Sequence, residues 1–223
     1  MTQRSDAGSE VETGGNSPSQ RPSTSAAALA SEVVAGTGSA NVEHYVRGLL
    51  DTRESASSQA ARVVEELCNQ KPELLAPYIE RFVTLLGSER TRLAQCAAHC
   101  LPVLGRVAPA KVAKHLKVLQ GSFDSGSEIA KDGLIRTFVA LCVASVTYQK
   151  RLIDVFEGAL RDADPKQLPG WVEHILPALK GEPYAQARAV AEARVNDPSL
   201  PRPSAQRVAD LLGVKLRPAP ERK

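Results

Sequence analysis

Thiols and imidazoles come closest to forming a reactive group at Cys96-Ala97-Ala98-His99-Cys100, where two cysteines stand one helical turn apart and a histidine adjoins the second. A zinc site requires four ligands, usually presented by paired knuckles. No second Cys or His pair lies at such a spacing, so Cys68 or His174 would have to be brought in from elsewhere. Small residues filling a tight helix contact account for the same pattern, and Gln59, Cys96, Gly133 and Gly170, spaced by 37 residues, form one such column. A Cys–His nucleophile needs a loop to present it and a third group to orient the base, and neither is evident. His44, His99, His115 and His174 occupy separate segments. Gly36-Thr37-Gly38 lacks the following Lys and the preceding strand of a phosphate loop. Asp162 and Asp164 share one turn, where helix capping explains them, and Trp171 falls in an apolar column. No catalytic residue, metal site or cofactor is therefore assigned, and the chain is expected not to be an enzyme.

What must position these side chains is a helical repeat. From Pro72 to Leu86, Leu75, Ile79, Phe82 and Leu86 recur at offsets of four, three and four, one stripe of a helix. Gly87-Ser88-Glu89 interrupts the run, and a second stripe follows with Leu93, Ala97, Leu101 and Leu104, opposite Arg92, Gln95, His99 and Arg106. The outer flanks of this hairpin, with Leu85, Val103 and Val107, remain apolar and need neighbours. A shift of 37 residues supplies them. First-helix columns read Val42, Ile79, Leu116, Ile153, Val190; Tyr45, Phe82, Leu119, Phe156, Ala193; and Leu49, Leu86, Phe123, Leu160. Second-helix columns read Ala60, Ala97, Leu134, Trp171, Val208; Val64, Leu101, Phe138, Ile175, Leu212; and Leu67, Leu104, Leu141, Ala178. Positions fixed by burial keep their polarity while their identity drifts.

Helical pairs repeating at this length resemble the HEAT-repeat, armadillo-like alpha-solenoid family over roughly residues 41–213. Asp51 and Asp162 match the Asp that this family often carries between paired helices, with Ser88 and Ser125 in its place in the middle units. Arg62 and Arg136 answer to its basic residue in the second helix, a column that His99 and Glu173 break. The resemblance implies an all-α, right-handed alpha-alpha superhelix of about five hairpins, with units near 41–71, 72–108, 109–145, 146–182 and 183–213. It also implies that second helices line the concave side. Arg62, Arg92, Gln95, His99, Arg106, Asp132, Arg136 and Glu173 would then form a polar ladder along one groove, an extended face rather than a deep pocket.

Residues 1–40, rich in Ser, Gly, Thr, Ala and Pro, are expected to be a flexible tail, with at most a transient helical turn at 26–34. Asn41 is placed to cap the first helix, Asp51 or Ser55 to open the second, and residues 121–126 to form the turn of the third unit. Arg188, Glu192 and Arg194 are expected to face solvent on an alanine-rich closing unit, and 214–223 to be a loose basic end. No apolar run approaches the ~20 residues of a membrane span. Four cysteines without a disulfide framework, in a chain able to bury its own core, suit a reducing compartment, so a cytoplasmic protein is expected.

Charge separates the two functions that such a solenoid suggests. Between residues 41 and 198 there are 20 Lys and Arg against 19 Asp and Glu, so the overall +3 comes from the C-terminal end. Duplex binding is driven by phosphate neutralisation, and a nearly neutral body with a single tryptophan is a poor match to the alternative, a nucleic-acid enzyme resembling the HEAT-like alkylpurine DNA glycosylases. A mixed-charge groove suits a protein or peptide partner, which makes a non-enzymatic scaffold or adaptor the expected function.

Overall fold

The computed structural model describes residues 25–38 and 41–216, and among these every regular element is a helix. No helix among them is long and apolar enough to cross a membrane. The three second helices α3 (Glu54–Gln70), α5 (Thr91–Val107) and α8 (Glu128–Ala144) start and stop 37 residues apart and are 17 residues long each. Their ends are built alike. The residue after each helix donates its N–H to the carbonyl four before it, Lys71 to Leu67, Ala108 to Leu104 and Ser145 to Leu141. Pro72 and Pro109 then open the next unit, where a missing N–H costs nothing.

All three second-helix columns are buried in every unit they reach, and Leu67, Leu101, Leu104, Leu134, Phe138, Leu141 and Ile175 are wholly shielded. Successive second helices stack, with α5 against α8 the most extensive contact. Glycine permits that approach. A Cβ added to Gly133 would lie 2.5 Å from the Ala98 Cβ and 2.9 Å from its carbonyl oxygen, and one added to Gly105 would lie 3.1 Å from the Ala140 Cβ.

First helices depart from a uniform hairpin. In the first unit α2 (Val42–Gly48) is short. In the second, a 3₁₀-helix over Pro72–Tyr78 precedes α4 (Ile79–Leu85), and in the third α6 (Pro109–Ala113) precedes α7 (Leu116–Ser125). Pro77, which cannot donate to the preceding turn, sits at the first of these breaks. The first helix of the fourth unit contains no proline and is unbroken, α9 (Val146–Asp162), followed by α10 (Leu168–Ala178). The fifth consists of α11 (Gly181–Val195) and α12 (Arg202–Leu212).

Several expectations need correction. The expected flexible tail over 1–40 does not hold for residues 25–38, where α1 (Ala26–Ala35) is a full helix capped by the Ser25 hydroxyl, ended by Gly36 in the left-handed region and packed on α3. The remaining tail residues, 1–24, 39, 40 and 217–223, lie outside the described residues, whereas Val214 and Leu216 pack on the core. Asn41 does cap α2, accepting from the His44 N–H at 2.9 Å. Neither Asp51 nor Ser55 opens α3, whose N-cap is Arg53; Asp51 instead accepts from the Arg53 N–H and guanidinium. Gly121, Ser122 and Phe123 belong to α7, and only Gly126 and Ser127 separate it from α8.

The 37-residue register also fails in α11. Its buried residues are Pro183, Ala187, Ala191 and Val195, while Val190 is half-buried and Ala193 exposed. The helix begins right after Lys180, and a stripe of small residues at every fourth position lets it lie close on α9. Arg188 and Arg194 are not simply solvated: Arg188 donates to Glu192, Tyr184 and the Leu212 carbonyl, and Arg194 to Asp197 and the Ala163 carbonyl. Buried Gln149 of α9 ties the end of α8 to the N-cap of α11, donating to the Cys142 carbonyl and accepting from the Lys180 N–H.

Candidate functional site

The eight ladder residues all reach the surface of α3, α5, α8 and α10, as their opposition to the buried stripe requires. Most are already engaged. Arg92 makes a bidentate pair with Glu65 across α3 and α5, at 2.5 and 2.6 Å. His99 Nε2 lies 3.0 Å from Asn69 Oδ1, Arg136 pairs with Asp132 one turn away at 2.8 Å, and Glu173 meets Arg207 at 3.4 Å. Arg62, Gln95 and Arg106 have no side-chain bond among the described residues.

A cleft of about 380 Å³ opens where the C-terminal halves of α5 and α8 run side by side, with α3 and α10 at its ends. Of the ladder it gathers His99, Arg106 and Arg136; Arg62, Arg92, Gln95, Asp132 and Glu173 lie outside it. Its floor is apolar, with Val103, Val139 and Val143; Val107, one turn beyond Val103 on α5, is exposed. Val143 is 70% exposed, the most of any large apolar side chain described. Asn69 and His174 complete the rim. Arg136 has one further property, since its Nε is shut off from solvent and has no acceptor. An unserved donor on a charged group is costly, so the guanidinium is under-bonded as it stands. The arrangement offers apolar surface between two guanidinium groups and holds no paired acid and base.

Sequence periodicity pointed to the polar row and not to the valines. The signal was nevertheless present, because Val103 and Val107 stand on the outer flank of α5, outside its buried stripe. Val139 and Val143, which occupy the places of Pro102 and Arg106 in the preceding unit, likewise stand outside the buried residues of α8.

The cysteines belong to the core. Cys68, Cys96, Cys100 and Cys142 are buried and free, with the Cys68 thiol directed at the Cys100 carbonyl and that of Cys96 at the Ala61 carbonyl. Hydrogen bonding from Cys68 and Cys96, with burial added, pushes the Cys100 thiol far up, and burial pushes Cys142 up to about 12. All four thiols are buried out of reach of solvent, so the native protein is expected to leave them unreacted with a disulfide reagent at neutral pH, and to react at all of them once unfolded. Because the folded-state value of Cys142 lies above its ordinary 9.0, the unfolded chain binds fewer protons between pH 9 and about 12. Stability is accordingly whole below pH 9 and falls as pH rises through that window, which a series of alkaline melts would show. Trp171, 3% exposed in its apolar column, packs against Phe123 with ring centroids 6.0 Å apart, and its indole N–H finds no acceptor.

Comparisons with known proteins return architecture. No family model matches the chain, and no curated protein does. Among solved structures, an engineered protein from the Northeast Structural Genomics Consortium is similar at 18% identity and a TM-score of 0.59, covering 85% of this chain and 84% of its own. A designed armadillo repeat protein is similar at 17% identity and a TM-score of 0.59, covering 88% and 96%. A second engineered protein from the same consortium has 17% identity and a TM-score of 0.58, covering 84% of this chain and 51% of its own. The fold is that of an armadillo and HEAT-like helical repeat.

Proposed function

We propose that this helical repeat is a non-enzymatic scaffold or adaptor that binds a protein or peptide partner along the second-helix groove, with its principal contact in the α5–α8 cleft. The observation that carries it is the uncovered valine floor, Val103, Val139 and Val143, set between Arg106 and Arg136. Burying exposed apolar area is the main favourable term in association, and guanidinium groups at the rim select carboxylates. The partner is therefore an acidic segment with interspersed aliphatic side chains. Free, buried cysteines support a reducing compartment and hence the cytoplasm. Duplex DNA is disfavoured by the near-neutral body, and a gel shift that weakens with salt would reverse that assignment.

Selection from a phage-displayed library of random peptides on the full chain tests the proposal. Acidic, aliphatic sequences are expected to be enriched, and to lose at least about tenfold in affinity when Arg106→Glu and Arg136→Glu are combined. Arg62→Glu, outside the cleft, is expected to leave affinity within about twofold; the exposed Arg62→Glu and Arg106→Glu changes should alter stability by no more than about 0.5 kcal/mol each, and a melt of the double variant checks that the loss of the Arg136–Asp132 pair leaves it folded. Peptides that bind the double variant undiminished would remove the cleft from consideration.

A further inference from the structure

The α5–α8 cleft lies close to the point where the chain enters α1. That helix packs on α3, and the last residue of α3 holds its first turns: Gln70 donates to the Ala27 carbonyl at 3.5 Å and accepts from the Ser31 hydroxyl at 3.2 Å. The residue before it, Asn69, stands on the rim of the cleft, with its Oδ1 3.0 Å from His99 Nε2. Adjacent residues of α3 therefore touch the N-terminal half of α1 on one side and the mouth of the cleft on the other. Ser25, which caps α1, is where the preceding residues depart.

Those preceding residues contain one place that answers to the cleft. Val11 is the only Val, Leu or Ile before Ser25, and it stands between Glu10 and Glu12. The cleft presents the converse: three valines with Arg106 and Arg136, and no carboxylate among its lining residues. Arg106 is exposed, and Arg136, although paired with Asp132, keeps 41% of its side chain exposed. Carboxylates and guanidinium groups form charge-assisted hydrogen bonds, and the valines supply apolar area to be covered. Reach is sufficient. Packed helices lie ~8–10 Å apart, which places the α5–α8 seam roughly 25 Å from the axis of α1, whereas residues 13–24 can span up to about 40 Å. A tether of this length holds its ligand at an effective concentration on the order of 1 mM, so a segment too weak to bind as a free peptide still fills the site. We infer that Glu10-Val11-Glu12 of the same chain occupies the cleft, Val11 on the valine floor and the carboxylates toward Arg106 and Arg136, until a partner of the same chemistry displaces it. This inference rests on reading the cleft as a peptide groove.

Valine-methyl NMR of the full chain tests this without any partner. Glu10→Gln, Val11→Ser and Glu12→Gln are combined in one variant, and all three positions precede α1 and the helices that build the core. Relative to the parent, the Val103, Val139 and Val143 resonances are expected to move and those of the exposed Val118 to coincide. The differences should persist on about tenfold dilution, as an intramolecular contact requires. A peptide from the library selection is then expected to bind the tail variant at least about threefold more tightly than the parent, the gain when about two-thirds of the clefts are self-occupied. Parent and variant spectra that coincide at all three floor valines overturn the inference, and so does an unchanged peptide affinity. Differences that fade on dilution overturn it as well, because they place the segment in the cleft of a second copy. The groove reading fails by a different result, peptides that bind undiminished when Arg106→Glu and Arg136→Glu are combined.

Discussion

Phe138→Ala lowers stability by about 3–5 kcal/mol, the range for removing a large side chain from a site that cannot collapse. Phe138 is wholly shielded in α8, with its ring 6.4 Å from that of Phe123, at the centre of a column that runs Val64, Leu101, Phe138, Ile175, Leu212. All five members are buried, so the void is bounded on both sides by layers that cannot move without loosening their own neighbours. Chemical denaturation followed by far-UV circular dichroism measures the loss. A change below about 1 kcal/mol would mean that the column is not the continuous core of the stack.

Gly133→Val is the second large effect, and it acts by crowding rather than by emptying. The added Cβ alone would sit 2.5 Å from the Ala98 Cβ, 2.7 Å from its Cα and 2.9 Å from its carbonyl oxygen. Two of those three atoms are backbone, so relief requires α5 and α8 to separate instead of one rotamer to turn. Overpacking typically costs 1–3 kcal/mol, and a backbone collision across the most extensive helix contact is expected to reach about 3 kcal/mol or more. Gly158→Ala is the matched control on α9: helix interior, open space around the new methyl, and an expected gain of about 0.5–1 kcal/mol. If both substitutions shift the denaturation midpoint alike, helix propensity governs Gly133 and the close approach does not.

The repeat was legible because burial acts at fixed positions. Helix starts at Glu54, Thr91 and Glu128 and matching ends at Gln70, Val107 and Ala144 reproduce the 37-residue spacing of the apolar columns. Where the register failed, in α11, side-chain size had replaced side-chain polarity as the packing determinant: Ala187 and Ala191 are buried because they are small, and apolar counting does not separate them from exposed Ala193. Composition misled at α1 in a similar way. A run of Ala with Leu29, Val33 and Val34 is too poor in large side chains to fold alone, yet it folds when α3 offers it an apolar flank.

The candidate site was legible as a row and not as a place. Spacing put Arg62, His99, Arg136 and Glu173 on equivalent faces, with Asp132 one turn before Arg136; only tertiary structure reveals that Glu65 occupies Arg92 and that His99, Arg106 and Arg136 share one cleft. Ties such as Arg90 to the Asp51 carbonyl, at 2.7 Å, join turns of successive units through backbone acceptors, which leave no mark in side-chain periodicity.

Methyl NMR of valine-labelled protein, titrated with a peptide from the library selection, places the partner on the molecule. Shifts at Val103, Val139 and Val143, fading toward Val107 and absent at the exposed Val118 of α7, are what docking in the α5–α8 cleft predicts. Shifts at Val118 with the three floor valines unmoved would contradict it.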